Sequence, residues 1–286
     1  MTPNLVVLTD FSLAAERARA YAAVLAAPLK AEVHLVHIYF LLPIATEYGL
    51  VVPMHDDRYV PETQRHLKQV ADTMPVPATA EVLEADWPGA IEEALDKYRP
   101  VLVVAGLTAI SGWLSEWLGN RAQPLAHQTG YPLLLVPEHL PDSALHLPQR
   151  LALAVQDWPF RLMPQARAVA PLLDALALDV VTVTVLTPEE STGGWEGLRA
   201  AQACGLAAVM PQCGLYKVVS ERPATGVLHA VDELEADLLA LLDQDHGVMH
   251  KLFDGSVIDH VLRHTHVPVL LLAAHLTAPS PVLLEG

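Results

Sequence analysis

The sequence of 286 residues has little of what several protein classes require. Two cysteines are too few for a small scaffold held together by disulfides. Charged residues make up 17% and hydrophobic residues 52%, which excludes an intrinsically disordered chain. No uncharged apolar run approaches the roughly 18 residues that a membrane-spanning helix needs. The first residues also lack the basic region of a targeting segment. We therefore expect a folded, cytoplasmic protein.

Basic residues are also scarce. The chain has 17 Lys and Arg against 33 Asp and Glu, a net charge of −16. Such a surface repels phosphate backbones and anionic lipids, so we expect neither nucleic acid nor a membrane as a partner. Other proteins remain as candidate partners.

The two halves of the sequence resemble each other. The segment 131–136 aligns with 267–272 at an offset of 136, whereas 5–10 (LVVLTD) aligns with 152–157 (ALAVQD) at an offset of 147. The first half therefore holds about 11 more residues, which we place within 41–59. Each half carries a net charge of −8. A Pro-rich polar segment around 138–149 separates two predicted domains, 1–138 and 149–276.

Short apolar runs alternate with helical patterns in both halves, which predicts two tandem doubly wound parallel five-stranded sheet domains of the Rossmann-like α/β class. The predicted strands are 5–9, 32–38, 79–84, 101–105, 133–136, 151–156, 180–186, 215–219, 238–242 and 269–272. The predicted helices are 13–26, 61–73, 88–98, 120–128, 161–176, 195–209, 225–235 and 256–264. Ser12 is a candidate cap for the first helix. Pro164 and Pro171 interrupt the pattern of 161–176.

The ends of each half carry more specific motifs. A strand ending in Asp10 runs into Phe11-Ser12 and an Ala-rich helix. Near the end of the chain, Gly255-Ser256 opens a helix that leads to the apolar strand 267–270 (VPVL). Each half thereby resembles a domain of the universal stress protein family, and the whole chain resembles its tandem members.

The resemblance implies where a nucleotide would bind. Family members that bind ATP carry the pattern Gly-x2-Gly-x9-Gly-Ser/Thr after the fourth strand, where backbone N–H groups meet the phosphates. In the first half these positions hold Gly106, Ala109, Gly119 and Asn120, and Gly112 adds flexibility nearby. Asp10 would lie on the base side of the nucleotide by the same resemblance, or else cap the neighbouring turn.

Two interpretations of the first-half loop stay open. The segment 107–118 carries Trp113 and Trp117 but no Lys or Arg, which is typical of a packed structural loop. The alternative is a weakened nucleotide site. In the second half the matching positions are Leu242, Asp245, Gly255 and Ser256, so both leading glycines are lost and carboxylates are gained. We expect ATP, if it binds, in the first half only.

Other candidate sites rest on weaker patterns. His260 and His264 lie four residues apart on a predicted helix and could share a metal, with His246, His250 and His266 nearby, although solvated histidines are the simpler interpretation. We predict no resident metal site. Cys204 and Cys213 are predicted to be reduced. No GxSxG, P-loop or full GxGxxG motif is present, and neither are the HxGH and SGGxDS-type motifs of adenylating enzymes.

These observations lead to one expectation about function and one alternative. We expect a non-catalytic tandem universal stress protein that acts in stress response or signalling, with degenerate nucleotide sites. The alternative is an ATP- or AMP-binding sensor with one site in the first half; an enzyme ranks last. The apolar strands 132–136 and 268–272 invite pairing at exposed edges. We therefore predict an intrachain pseudo-dimer through these strands, and a homodimer is a further option.

Overall fold

The computed structural model describes residues 2–39, 43–45, 51–53, 58–108, 123–190, 193–208, 214–244 and 256–277. The chain divides into two compact units. Unit 1 comprises 1–108 and 135–146, and unit 2 comprises 109–134 and 147–286. The domain limits expected from the repeat, 1–138 and 149–276, remain predictions.

Unit 1 is built on an α/β sheet. Its strands are β1 (Asn4–Leu8), β2 (Glu32–Ile38), β5 (Ala78–Leu83), β6 (Leu102–Leu107) and β7 (Leu133–Pro137). They follow the order β7-β6-β1-β2-β5, and the pairs β1–β2, β1–β6 and β2–β5 are parallel. Its helices are α1 (Leu13–Leu29), α2 (Tyr59–Asp72) and α3 (Trp87–Tyr98). The segment predicted to hold the extra residues contains a short antiparallel pair, β3 (Pro43–Ala45) and β4 (Val51–Pro53).

The core of unit 1 forms between α1 and the central strands. All of Leu5, Val6 and Val7 are at most 1% exposed, as expected for a strand with neighbours on both sides. Helix α1 begins where the sequence predicts, because the Ser12 side chain accepts a hydrogen bond from the Ala15 N–H at 3.2 Å. Its buried alanines let the helix approach the sheet closely.

Unit 2 repeats the strand order of unit 1. Its parallel strands are β8 (Arg150–Ala154), β10 (Asp179–Leu186), β11 (Gly214–Val219), β12 (Leu238–Gln244) and β13 (Val269–Leu276). They follow the order β11-β10-β8-β12-β13, in positions equivalent by sequence to those of unit 1. A seven-residue helix from the first half of the sequence, α4 (Gln123–Thr129), packs against β12 and β13. The longer helices of this unit are α6 (Trp195–Ala203), α7 (Pro223–Glu233) and α8 (Ser256–His264).

The helix predicted over 161–176 is wrong. The structure instead places a short strand, β9 (Phe160–Leu162), antiparallel to β13. A 3₁₀ turn and the seven-residue helix α5 (Val169–Ala175) come next along the chain. Pro164 lies between β9 and the turn, and Pro171 stands at the third position of α5. A proline at the start of a helix costs little, whereas one in the middle of the predicted 16-residue helix would break it.

Candidate functional site

Both units have a topological switch point between their first and fourth strands. In such sheets, ligands bind outside the carboxyl ends of the strands at this point. In unit 1 the relevant ends are those of β1 and β6, which lead to Asp10 and include Gly106. In unit 2 they are the ends of β8 and β12, which lead to Asp157 and include Asp243. These residues, two in each unit, define the two candidate sites.

Asp10 takes part in a local turn in unit 1. Its carboxylate accepts a hydrogen bond from the Ser12 N–H at 3.0 Å, and the Thr9 hydroxyl accepts one from the Phe11 N–H at 3.3 Å. Asp10 itself is exposed. This geometry matches the simpler sequence interpretation, in which Asp10 caps the neighbouring turn.

Phe11 is the centre of a cluster of aromatic rings at the same edge of unit 1. Its φ is 64°, an uncommon conformation for a bulky residue, and the residue is 37% exposed. The ring stacks on His66 with centroids 5.3 Å apart and leans against His37 at 5.0 Å. Helix α2 thereby reaches the end of β1 through an aromatic contact that the sequence analysis missed.

His37 ties the end of β2 to helix α2. Its Nδ1 lies 2.8 Å from the Thr9 carbonyl oxygen, which can only accept, so this nitrogen carries the proton. Its Nε2 can then accept from the Tyr59 hydroxyl at 3.2 Å, and the Tyr59 ring stacks on Tyr39 at 4.3 Å. His37 is buried and hydrogen-bonded at both nitrogens. The sequence signal for this contact is the presence of His37 and Tyr39 at the end of a predicted strand.

Gly106 is required by packing. A Cβ atom at this position would lie 2.4 Å from the Ala14 carbonyl carbon and 2.6 Å from the Ala14 Cβ. Because real Cβ contacts do not come this close, helix α1 can rest on β6 only over a glycine. At Gly106, where the family pattern predicts that a phosphate approaches the backbone, helix α1 makes the close approach. The other predicted binding residues, Ala109, Gly112, Gly119 and Asn120, lie outside the described residues.

Asp157 is engaged with a helix in unit 2. Its Oδ1 accepts hydrogen bonds from the Glu196 N–H at 2.8 Å and from the Gly197 N–H at 3.5 Å. Residue Gly194, at the N-cap position of α6, has no side chain to fill this role. Asp157 therefore caps α6 from a different element of the fold.

Helix α6 is pressed against the end of β8. A Cβ atom on Gly197 would lie 2.3 Å from the Gln156 carbonyl oxygen, so the first turn of α6 approaches the backbone directly. At the end of β12, Asp243 is only 7% exposed. Helix α8 begins at Ser256 as predicted, whereas Asp245 and Gly255 lie outside the described residues. The switch point of unit 2 thus contains two carboxylates, Asp157, which caps α6, and Asp243, which is buried.

A cluster of titratable side chains lies at the amino ends of β2 and β5 in unit 1. His34 is 6% exposed, its Nδ1 lies 2.7 Å from the Thr79 hydroxyl, and its ring stacks on Tyr98 at 4.0 Å. Burial lowers the pKa of His34, and burial together with the Glu81 carboxylate raises the pKa of Tyr98. Burial alone would raise the pKa of Glu81, but hydrogen bonds from Lys97 and Tyr98 outweigh it and lower that pKa.

The histidines and the cysteine that the sequence offers as weaker candidate sites lie outside the switch points. His260 and His264 stack on each other along α8, whereas His246 and His250 lie outside the described residues. Across the described ranges, no group of three or more His, Cys, Asp or Glu side chains could hold a metal ion. Cys204 is a free, half-buried thiol. Among the helices of the described segments, none is long and apolar enough to cross a membrane.

Comparison with known proteins agrees with this architecture. The model of the universal stress protein family matches residues 1–137 and 196–273. No curated protein sequence matches the chain.

Solved structures resemble the whole chain. A universal stress protein from Archaeoglobus fulgidus has a TM-score of 0.63 and 14% identity, covering 94% of this chain and 98% of that one. The cytoplasmic domain of a prokaryotic cation chloride cotransporter has a TM-score of 0.54 and 12% identity, covering 96% of both chains. A protein of unknown function from Pseudomonas aeruginosa has a TM-score of 0.53 and 11% identity, covering 95% and 92%. Identities this low show the fold alone, whereas the family model matches most of the sequence. The chain belongs to the universal stress protein family.

Proposed function

We propose that this protein is a non-catalytic module of stress response or signalling that acts through protein partners, with no nucleotide site in unit 2. The observation that carries the proposal is the hydrogen bonding of Asp157 to the first turn of α6. The carboxylate that ends the first strand is engaged within the fold. Its Oδ1 is therefore not available to a ligand without uncapping a helix.

The electrostatics of unit 2 point the same way. Asp243 is buried at the end of β12, beside the strand that leads to Asp157. A triphosphate placed at this edge would meet the Asp157 carboxylate, and like charges repel strongly where solvent screening is reduced. At the position that matches Gly106, unit 2 has Leu242. The sequence and the geometry both argue against phosphate binding here.

Unit 1 has lost part of the nucleotide pattern. Gly106 is explained by its contact with Ala14, and the matching positions 109 and 120 hold Ala and Asn. Asp10 is hydrogen-bonded within its own turn. We infer that nucleotide binding is weak or lost in this unit as well, and that the domains serve mainly as a scaffold.

A second candidate function is a nucleotide sensor with ATP or AMP bound in unit 1. Two observations favour it. Asp10 is exposed at the carboxyl edge, and the next residue, the aromatic Phe11, is 37% exposed. Exposed aromatic faces stack on planar bases, each contact contributing about 1–3 kcal/mol in known cases. Such a sensor would bind one nucleotide per chain.

Calorimetric titration of the full chain with ATP and Mg²⁺ separates these functions. The scaffold function predicts no heat of binding up to millimolar ATP, and no nucleotide in the mass spectrum of the purified protein. One site that disappears in Asp10→Ala and Gly119→Val, with Asp157→Ala as the matched control, would establish the sensor instead. Two equivalent sites would contradict both functions.

Three further features are part of the proposal. The repeat supports two family-type domains at 1–138 and 149–276. The last strands of the two repeats, β7 and β13, are apolar, and the intrachain pseudo-dimer predicted through them stays part of the proposal. The absence of recognisable catalytic motifs from the sequence supports a non-enzymatic role. A cytoplasmic location is part of the same proposal.

A further inference from the structure

Helix α8 of unit 2 carries two histidines on one exposed face. His260 and His264 are both exposed and lie four residues apart, so their side chains are neighbours on the helix surface. Their rings stack with centroids 4.2 Å apart and an interplanar angle of 25°. Two imidazoles are thereby held side by side, facing solvent.

The ring of His264 is oriented by the backbone. Its Nδ1 lies 2.7 Å from the His260 carbonyl oxygen. A carbonyl oxygen only accepts, so Nδ1 carries the proton and donates, which leaves the lone pair on Nε2. Histidines that bind metals typically have this arrangement, with the second ring nitrogen donating to a carbonyl or a carboxylate. His264 is thus already in the tautomer that a metal requires at Nε2.

The charges around the pair do not oppose a cation. Arg263 is the nearest cationic side chain along the helix, and Asp259 holds it through two hydrogen bonds of 2.9 and 3.0 Å. Two residues beyond the helix, the His266 Nε2 lies 3.6 Å from an Asp232 carboxylate oxygen. The arginine is therefore neutralised by its partner, and the chain as a whole is strongly acidic.

We propose that His260 and His264 form a two-point binding site for a late first-row divalent cation, with water completing its coordination. Imidazole suits Cu²⁺, Ni²⁺ and Zn²⁺, and the general order of affinities makes Cu²⁺ the tightest of these. With metal–nitrogen bonds of about 2.0–2.1 Å, two neighbouring nitrogens on one ion lie about 3 Å apart. The rings, whose centroids lie 4.2 Å apart, must rotate out of their stack so that one nitrogen of each points at the same ion.

Titration of the metal-free full chain with Cu²⁺ tests the site. The variants are His260→Ala, His264→Ala and, as a matched control, His229→Ala, an exposed histidine on the neighbouring helix α7 that lies 3.8 Å from Glu233. Loss of a direct ligand should weaken binding at least as much as loss of a supporting group, which costs about 10- to 100-fold. We expect each α8 variant to lose one binding event or to weaken it at least tenfold, and the control to keep it. The same isotherm in all four proteins would overturn the proposal.

Electron paramagnetic resonance of the protein with one equivalent of Cu²⁺ gives an independent readout. We expect couplings to two imidazole nitrogens in the original chain and to one in either single α8 variant. Circular dichroism of the metal-free proteins checks that all of them fold alike. Two coupled nitrogens that persist in both α8 variants would assign the copper to other histidines and overturn the proposal.

Discussion

The two units share a strand order but differ in the element that comes after the first strand. In unit 1 a 17-residue alanine-rich helix, α1, begins after Asp10 and rests on Gly106. In unit 2, β9 takes that place and pairs with β13, and the first turn of α6 meets the end of β8 through Gly197 and Asp157. One sheet topology is therefore covered at its carboxyl edge by two different closures, meaning the helix that packs over the end of the first strand. The closure in unit 2 engages the carboxylate that the other repeat leaves exposed.

The largest expected loss of stability comes from substitution of the glycine at each closure. Gly106→Ala would place a Cβ atom 2.4 Å from the Ala14 backbone, and Gly197→Ala would place one 2.3 Å from the Gln156 carbonyl oxygen. Since the contacted atoms are backbone, we expect each change to lower the free energy of unfolding by about 3 kcal/mol. Urea denaturation measures this. Gly214→Ala, where the nearest atom is 3.4 Å away, is the control, and an equal loss there would contradict the packing argument.

The outer edge of unit 1 is covered by a glutamine, and its removal should have the next largest effect. The Gln64 side chain donates to the Ala80 carbonyl at 2.9 Å and accepts from the Val82 N–H at 2.8 Å, as a neighbouring strand would. Gln64→Ala removes both hydrogen bonds and should cost about 2 kcal/mol. Thermal denaturation measures the loss. Gln202→Ala, which removes one exposed hydrogen bond in unit 2, should cost less, and the reverse order would contradict this account.

Removal of the two equivalent aspartates should lower the free energy of unfolding by different amounts. Asp157→Ala uncaps α6 and should cost about 1 kcal/mol, whereas Asp10→Ala removes one exposed hydrogen bond and should cost less. Hydrogen exchange gives a local readout. We expect the Glu196 and Gly197 amides to exchange faster in Asp157→Ala. Unchanged exchange at both amides would show that the carboxylate does not hold the helix.

The smallest expected effect is a pH dependence of stability that arises from His34 in unit 1. The pKa of His34 is lowered from its usual value of 6.5 mainly by burial; the Glu32 and Glu81 carboxylates raise it, and Lys97 lowers it further. The unfolded chain therefore binds the proton more readily. The contribution of His34 to stability is fully present above about pH 6.5 and is lost as the pH falls toward the lowered pKa.

Denaturation of the original chain and of His34→Phe across this range checks the sign. We expect the His34→Phe protein to show a flatter dependence between about pH 5 and 6.5. The pKa of Glu81 is lowered from 4.5, so its own contribution is lost at more acidic pH and stays in both proteins. A steeper dependence in the variant would contradict the role of His34.

Much of the fold could be predicted because its signals are local. The apolar run of β6, the cap at Ser12 and the periodicity of α3 are each contained within a few neighbouring residues. The segment 161–176 was mispredicted because β9 exists only through its pairing with β13, which is distant in sequence. Apolar periodicity carries no information about such a partner.

The candidate site could be predicted only in part. Asp10 and Gly106 were identified from their motif, but the reason for Gly106 is its contact with Ala14, which no sequence spacing reveals. The bond from Asp157 to α6 and the aromatic contact of Phe11 with His66 join elements that are far apart in sequence. Such contacts arise from the packing of elements and not from any one of them.

Photoaffinity labelling with an azido-ATP analogue, mapped by peptide mass spectrometry, tests the central difference between the units most directly. The account predicts no labelled peptide from the carboxyl edge of unit 2, around 155–160 and 193–200, in the original chain. Labelling of these peptides that excess ATP suppresses would contradict it, because it would place a nucleotide where Asp157 holds helix α6.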